Sequence, residues 1–286
     1  MRIPLVLAGT FLLLAGTACG ERTEPTGALV QVYPVTAQGA GDRPAVVNAA
    51  PRRIVPLGAG PRQLLRALGL QRRTVAVNDS LVGLPLVGEL RRAKPDLIIA
   101  SSDTDPLDLA RARAATHAAI YVEPSSSLDD VVEATGDIGL LTNQPVVARH
   151  VTAAIEKARR EVSARLAGTP TVATFVDTGD FSTVPSRSLL GDLVREAHGS
   201  SVAGASPEPG PFSLRRLAQL NPAVYLATSG SGRTLAGLRA QAATRRLKAV
   251  KDGRFGVVST GDAVPGPAVG QALVEVARIL HPDAFH

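Results

Sequence analysis

Polar side chains that could contact a small ligand follow the apolar, β-forming runs of this chain. Ligands of open parallel sheets lie beyond the carboxyl ends of the strands, so residues at these positions are candidates for hydrogen bonding. Loop aspartates also act as turn formers, and the sequence alone leaves both interpretations open. The candidates are Asp79, Ser102, Asp103, Asp177, Asp180 and Asp262.

Three arginines could bind an anionic group. Arg62 in PRQLL (61–65) and Arg187 in SRSLL (186–190) each follow a first predicted strand and open a first helix. Guanidinium groups bind carboxylates bidentately, and helix N-termini favour negative charge. Arg233 belongs to the Gly-rich stretch SGSGRT (229–234), which lacks the spacing of a dinucleotide fingerprint or a P-loop. The alternative interpretation is that these are ordinary solvated arginines.

Phe181 is the one aromatic residue predicted in a loop that follows a strand, in a chain with 3% aromatic residues and no Trp. Its ring could stack on a ligand or fill the inside of a lobe. Large flat surfaces for stacking are therefore scarce in this protein.

Neither a metal centre nor a catalytic constellation is predicted. The chain has one Cys, and its five His residues show no metal-ligand spacing. No G-x-S-x-G elbow is present, and nothing places a Ser beside a particular His and Asp. We therefore expect a protein that is not an enzyme and that needs no cofactor or resident metal. The histidines are His117, His150, His198, His281 and His286.

Composition and charge limit the class of partner. A hydrophobic content of 45% in 286 residues is enough for the cores of two lobes. The formal charge of +6 permits anionic partners. The basic residues are spread along the chain, no run of them exceeds two, and no aromatic-rich motif accompanies them, so we predict no nucleic acid. We expect a monomer.

The N-terminal residues predict export. Residues 1–18 contain Arg2, a short apolar stretch and small residues, as in a secretory signal peptide. The tetrapeptide GTAC resembles a bacterial lipobox, with Gly16 where Leu is usual, which implies that Cys19 becomes a lipidated first residue. The alternative is an ordinary signal peptide with an incidental Cys. Residues 19–50 are predicted to be a flexible tether to the outer face of the bacterial cytoplasmic membrane.

Strand and helix patterns alternate in two blocks. Strands are predicted at residues 54–57, 73–79, 94–102 and 117–124, within an N-terminal α/β lobe of residues 51–142. Residues 143–168 predict one long amphipathic helix, capped by Asn143. Alternation resumes in a C-terminal α/β lobe, residues 169–286, whose final helix is predicted at Val269–Leu280. The fold class is α/β: two Rossmann-like lobes with parallel sheets, joined by one long rigid helix.

One sequence pattern occurs twice. RRAKPDLIIAS (91–101) and LAQLNPAVYLATS (217–229) both read as a helix end, a Lys-Pro or Asn-Pro pair and a buried strand. The residue before Pro avoids the helical region, so each pair ends a helix. The repetition predicts corresponding strands in two related lobes.

These stretches, with RRIVPLGAGPRQLLRALGL, SRSLLGDLVREAHGSSVA and ALVEVARILHP, resemble the helical-backbone substrate-binding proteins of ABC importers. That family captures vitamin B12, ferric siderophores and haem. The resemblance implies a periplasmic-binding-protein-like fold, a ligand in the cleft between the lobes and a small hinge motion. It also implies that the protein captures a metal chelate, most simply a ferric siderophore, with cobalamin or haem as alternatives.

The resemblance also implies an ABC permease as partner. Family members present a surface Glu on each lobe; here the first lobe has an acidic residue, Glu89, displaced by one position, whereas Arg215 stands at the second position. The Trp often found near the last strand is absent from STGDAVPGP. These departures motivate an alternative function, an envelope structural or interaction lipoprotein that keeps the fold without transport.

Overall fold

The computed structural model of the chain describes residues 32–204 and 210–285. The predicted signal peptide, Cys19 and residues 20–31 of the predicted tether lie outside the described residues. Val32–His286 forms one compact unit. Within the described residues, no helix is both long and apolar enough to cross a membrane.

The N-terminal lobe is built around a three-stranded parallel sheet. Its strand order is β3-β4-β5, with Ile54 opposite Leu97 and Leu97 opposite Ala119. The elements in chain order are β1 Val35–Ala37, β2 Ala45–Val47, β3 Ile54–Leu57, α1 Ala59–Ala67, α2 Gly83–Ala93, β4 Leu97–Ser101, α3 Pro106–Thr116, β5 Ala119–Glu123 and α4 Leu128–Leu141.

Both faces of this sheet are covered, which explains why its strands are continuously apolar. Leu97 and Ile99 of β4 pack in one cluster with residues of α1 and α4. Ile98 and Ala100 point the other way and pack with residues of α2 and α3. The period-two alternation of side chains thus divides β4 between two cores.

Residues 73–79 were predicted to be a strand, and the structure corrects this. Only Thr74 forms an isolated parallel bridge, to Ile54, and Val75 N donates to Ile54 O at 2.8 Å. The preceding residues are held in a 3₁₀ turn, and Asn78 and Asp79 turn the chain away. The ladder therefore ends after one bridge.

Part of the predicted tether is folded. β1 and β2 form an antiparallel hairpin in which Val35 pairs with Val47 and Ala37 with Ala45. These four side chains are buried and pack in the same cluster as Tyr121. Each strand has only three residues, too few for a periodic signal in the sequence.

The long helix between the lobes is α5, Pro145–Arg165. Its 21 residues span about 32 Å, and its buried side chains are Ala148, Ile155 and Val162. Asn143 is not its cap: Asn143 has a φ of 60° and its N–H bonds Leu140 O at the end of α4. Gln144 stands at the cap position without a side-chain hydrogen bond.

The C-terminal lobe holds a four-stranded parallel sheet in the order β11-β10-β6-β8. β7 and β9 form a separate antiparallel pair. The elements are β6 Val172–Asp177, β7 Ser182–Thr183, α6 Leu189–Glu196, β8 Gly199–Ser201, β9 Gly210–Pro211, α7 Leu214–Leu220, β10 Val224–Thr228, α8 Leu235–Ala240, α9 Lys248–Lys251, β11 Phe255–Val258 and α10 Val269–Leu280.

The C-terminal sheet also separates two cores. Val224 and Leu226 of β10 pack in a cluster that includes side chains from α5, α6 and α10. Tyr225 and Ala227 face the opposite way, into a cluster with side chains from α7, α8 and α9. The helices α7, α8 and α9 therefore cover one face of this sheet.

The repeated sequence pattern marks corresponding strands in the two lobes, as predicted. Lys94 and Asn221 end α2 and α7 in the left-handed conformation, with φ values of 46° and 44°. A Pro follows each of them, and then comes β4 or β10, the strand between two parallel neighbours in each lobe. Corresponding strands of two related lobes carry the pattern.

Candidate ligand-binding cleft

The loops at the carboxyl ends of the two sheets meet between the lobes. Gln63 Nε2, in α1, donates to Gly261 O, in the loop after β11, at 3.0 Å. Gly60 lies so close to the Pro265 carbonyl oxygen that a side chain at this position would collide with it. The first turn of α1 and the loop of residues 259–268 thus form one end of a cleft.

On the N-terminal side, Arg62 and Asp79 form an ion pair. Asp79 also accepts a hydrogen bond from Gly58 N at 2.9 Å. Burial opposes ionisation of Asp79, but the Gly58 N–H group and the Arg62 guanidinium outweigh it and hold the pKa of this carboxyl below its usual value. Arg62 therefore already has an anionic partner within its own lobe.

A polar pocket of about 260 Å³ opens beside this pair. Asp105 caps α3 by accepting from Leu107 N at 2.8 Å, and Asp108 accepts from Gly83 N at 2.7 Å. Among the described residues Asp103 accepts only from the Ser101 hydroxyl, so it retains capacity to bind a ligand. The pocket is lined by Leu57, Gly58, Asp79, Leu81, Val82, Leu86, Ser101, Asp103, Thr104, Asp105 and Asp108.

Ser102 lies beside this pocket in the same loop. Its Oγ is 2.5 Å from Ser125 Oγ, in the loop that follows β5. The loops after β4 and β5 are therefore linked by two hydroxyl groups. Because Ser102 and Asp103 are adjacent, the structure brings both predicted residues to the same end of the N-terminal sheet.

Glu123 is a cleft residue that sequence reasoning missed. It ends β5 and is 1% exposed, and neither of its carboxyl oxygens has a hydrogen-bond partner among the described residues. Its carboxyl lies against Gly60, beside the Pro265 carbonyl. Burial, and then the nearby Asp103, raise the pKa of Glu123 to about 8. The available signal was a Glu ending an otherwise apolar strand in HAAIYVEP.

On the C-terminal side, Asp177 organises a second polar cluster. It ends β6, is fully buried, and accepts from Tyr225 Oη at 2.5 Å and from Arg233 Nε at 3.0 Å. Burial and the bond to Asp177 raise the pKa of Tyr225, so its hydroxyl remains a donor. The Arg233 guanidinium lies over the Phe181 ring, 4.1 Å from its centroid.

A tight turn presents Phe181. Ser182 N donates to Gly179 O at 2.7 Å, and Asp180 and Phe181 between them have φ values of 49° and 57°. A bulky residue in the left-handed region is strained and is held there by its surroundings. Here the Arg233 guanidinium covers the ring. The structure therefore brings Phe181, Asp180 and Arg233 together, as a cation–π pair beside a carboxylate.

Arg187 and Asp262 lie apart from these two clusters. Arg187 is exposed in the turn before α6, which begins at Leu189. The prediction that Arg187 opens this helix is therefore wrong by two residues, because Ser188 is its cap and accepts from Gly191 N. Asp262 lines a different groove, of about 540 Å³, between α5 and α10.

The sequence matches no protein family model and no curated protein. Its fold matches crystal structures of binding proteins. Helicobacter pylori CeuE in a nickel–histidine complex is 14% identical, with 88% of this chain and 90% of that chain covered and a TM-score of 0.74. The periplasmic vitamin B12 binding protein BtuF of Vibrio cholerae is 18% identical, with 82% of this chain and 98% of that chain covered and a TM-score of 0.71.

The molybdate-bound periplasmic binding protein MolA of Haemophilus influenzae is 15% identical, with 88% of this chain and 92% of that chain covered and a TM-score of 0.75. The chain has the two-lobed fold of periplasmic binding proteins. The likeness extends over nearly the whole of each compared chain, so it includes both lobes and the helix between them. The predicted fold class is confirmed.

In this periplasmic-binding-protein fold, the predicted docking positions lie on corresponding helices. Glu89 is on α2 and accepts from Arg92 Nη2 at 2.5 Å. Arg215 is on α7, the helix that precedes β10 as α2 precedes β4, and is exposed. Glu89 and Arg215 thus carry opposite charges on corresponding helices, displaced from each other by one position relative to the helix ends at Lys94 and Asn221.

Among residues 32–204 and 210–285, no three His, Cys, Asp or Glu side chains are grouped so that they could hold a metal ion. The cleft residues described above offer hydroxyls, carboxylates, the guanidinium groups of Arg62 and Arg233 and the partly exposed ring of Phe181. Such groups suit hydrogen bonding and ionic contact with a ligand that enters as a complete molecule.

Proposed function

We propose that this protein is the extracytoplasmic substrate-binding component of an ABC importer. It captures a small ligand in the cleft between its lobes and delivers that ligand to a permease. The observation that carries the proposal is the pair of polar clusters at the carboxyl ends of the two parallel sheets, around Asp103 and around Arg233. Ligands bind at this position in open α/β sheets.

A metal chelate is the proposed ligand class, with a ferric siderophore ahead of cobalamin or haem. The structural neighbours are described with nickel–histidine, vitamin B12 and molybdate. Tyr225 is fully buried, so among the cleft residues described above only Phe181 offers a partly exposed aromatic ring, and a flat tetrapyrrole gains little stacking there. Hydroxyl and carboxylate groups dominate instead, and because ionised carboxylates only accept hydrogen bonds, these favour a ligand that carries hydrogen-bond donors.

The ligand is tested by titrating the purified protein with ferric siderophores, cobalamin and haem while following its melting temperature. A ligand that binds only the native state raises the melting temperature in a concentration-dependent way. We expect at least one ferric siderophore to do so. If none of the three classes changes the melting temperature, the importer proposal is refuted and the alternative below is favoured.

The cleft is tested with the ligand that this screen identifies. Arg233→Gln should weaken binding by about tenfold or more, because a truncated buried charge contact costs about 2–5 kcal/mol. Arg239→Gln on the exposed face of α8 is the matched control and should bind as the wild type does. Equal affinity of the Arg233 variant and the wild type would remove Arg233 from the site.

We also propose lipid anchoring through Cys19 on the outer face of the cytoplasmic membrane. One acyl chain anchors only marginally, whereas several hold a protein stably. Cys19→Ser should therefore move the protein out of the membrane fraction. Unchanged retention of the variant would show that something other than lipidation holds the protein.

A second candidate function is an envelope interaction lipoprotein without transport. It is favoured by Arg215, which is exposed on α7 at the position equivalent to the docking face of α2. Adjacent permease and ATPase genes would favour the importer, and an isolated gene would favour this alternative.

A further inference from the structure

One surface of the C-terminal lobe carries many more cations than carboxylates. We define the basic face as the exposed surface of α7, α8, residues 241–247, α9 and Asp252. It carries seven exposed cations and one exposed carboxylate, Asp252. The cations are Arg215, Arg216, Arg239, Arg245, Arg246, Lys248 and Lys251.

The excess of cations on the basic face is as large as the net charge of the whole chain. The chain has 31 Lys and Arg and 25 Asp and Glu, a net charge of +6. The face contributes 7 − 1 = +6, and the remainder holds 24 basic and 24 acidic residues. A second basic stretch, residues 43–78, holds seven arginines and no acidic residue, so the N-terminal lobe supplies arginines for a matched control.

Packing fixes these cations in their outward positions. Leu217, Leu238, Leu247 and Val250 are buried in the core beneath the face, against Tyr225 of β10. The charged residues between them are therefore held on the opposite, exposed side of three short helices. Lys248 pairs with Asp252, and the other six cations form no ion pair with any described residue.

The chemistry of the basic face fits a lipid surface better than a protein partner. Stable protein interfaces centre on buried apolar and aromatic side chains. None of the large hydrophobic residues of α7, α8, α9 or residues 241–247 is exposed among the described residues. An array of cations without an apolar centre matches the diffuse negative charge of phospholipid headgroups.

We propose that the basic face adsorbs to an anionic lipid bilayer and holds the C-terminal lobe against the membrane surface. The attraction acts only within about 10 Å at moderate salt, so it orients a protein that is already near the bilayer. This inference does not depend on the ligand of the cleft.

The experiment measures co-sedimentation with phosphatidylcholine vesicles and with vesicles of equimolar phosphatidylglycerol and phosphatidylcholine. The protein used lacks residues 1–19, so the predicted anchor is absent, and it retains the entire compact unit Val32–His286. The wild type should bind only the phosphatidylglycerol vesicles, and salt should release it. A variant with Arg215, Arg216, Arg245 and Arg246 each changed to Gln should bind about six hundredfold more weakly, since each cation contributes about fivefold.

A matched control changes the same number of exposed arginines in the N-terminal lobe to Gln: Arg52, Arg66, Arg72 and Arg91. Both variants lose the same net charge, and their melting temperatures verify that they are folded. The control should retain nearly all of the wild-type binding. Equal losses in the two variants would refute a role for this face. Absence of a phosphatidylglycerol preference in the wild type would refute membrane adsorption and leave an acidic protein as the occupant.

Discussion

Glu123 should make the stability of this protein depend on pH. Its carboxyl lies at the end of β5 against the first turn of α1 and is 1% exposed, with no hydrogen-bond partner for either oxygen among the described residues. A buried carboxylate without a partner is costly, so the folded protein favours the protonated form. Burial and Asp103 raise the pKa of Glu123 from 4.5 to about 8.

The sign and size of the pH effect on the free energy of unfolding follow from proton linkage. Between pH 4.5 and about 8 the folded chain holds this proton and the unfolded chain releases it. Stability from Glu123 is therefore fully present below pH 4.5 and is lost progressively as the pH rises to about 8. One group changes the free energy of unfolding by about 1.4 kcal/mol per pH unit, which gives about 3 kcal/mol over two pH units inside this window.

The assay compares urea unfolding of the wild type and Glu123→Gln across this pH window, followed by circular dichroism. The amide keeps the shape and cannot ionise, so the variant should gain stability relative to the wild type as the pH rises. The m-value should stay the same. Asp103→Asn removes the second cause of the shift and should move the upper end of the window to lower pH. A stability difference between the wild type and Glu123→Gln that is constant with pH would refute the reasoning.

Three further predictions follow from the packing. Gly60→Ala should destabilise the protein by about 1–3 kcal/mol in urea unfolding, because the new Cβ collides with Pro265 and Glu123. Gly136 lies in a helix with open space around it, so Gly136→Ala should instead be neutral or stabilising. Asp177→Ala should cost about 3–5 kcal/mol in the same assay, because it leaves Arg233 without its buried partner; a loss below 1 kcal/mol would be inconsistent with the buried pair. Since α5 has no Gly or Pro after its first turn, X-ray scattering profiles with and without bound ligand should nearly coincide, and a large contraction would contradict a rigid connection.

Local sequence patterns determined most of the secondary structure. The strands around Ile54 and Leu97, the strand around Val224 and the helix Val269–Leu280 were all predicted from apolar periodicity. The Lys-Pro and Asn-Pro pairs identified corresponding strands in the two lobes. These signals are readable because a buried strand needs a short apolar run, and because Pro excludes the helical conformation from the residue before it.

The sequence pattern that predicts a strand is weaker when the strand is short or lies at the edge of a sheet. The β1–β2 hairpin has three residues per strand and was assigned to a tether, although Val35 and Val47 are buried. Residues 73–79 have a β-forming composition but form only one bridge. In both cases the outcome depended on a packing partner distant in sequence, Tyr121 for the hairpin and Ile54 for the edge segment.

The sequence by itself determined the two α/β blocks, the long helix between them and the candidate residues at the strand ends. Only the tertiary structure decided how those residues are paired: Arg62 with Asp79, 17 residues away, and Arg233 with Asp177, 56 residues away. It also buried Glu123 and placed seven exposed cations on one face of the C-terminal lobe. Periodicity specifies which side of an element is covered, whereas ion pairing and burial depend on which loops converge, and that is settled only when the sheets and helices pack together.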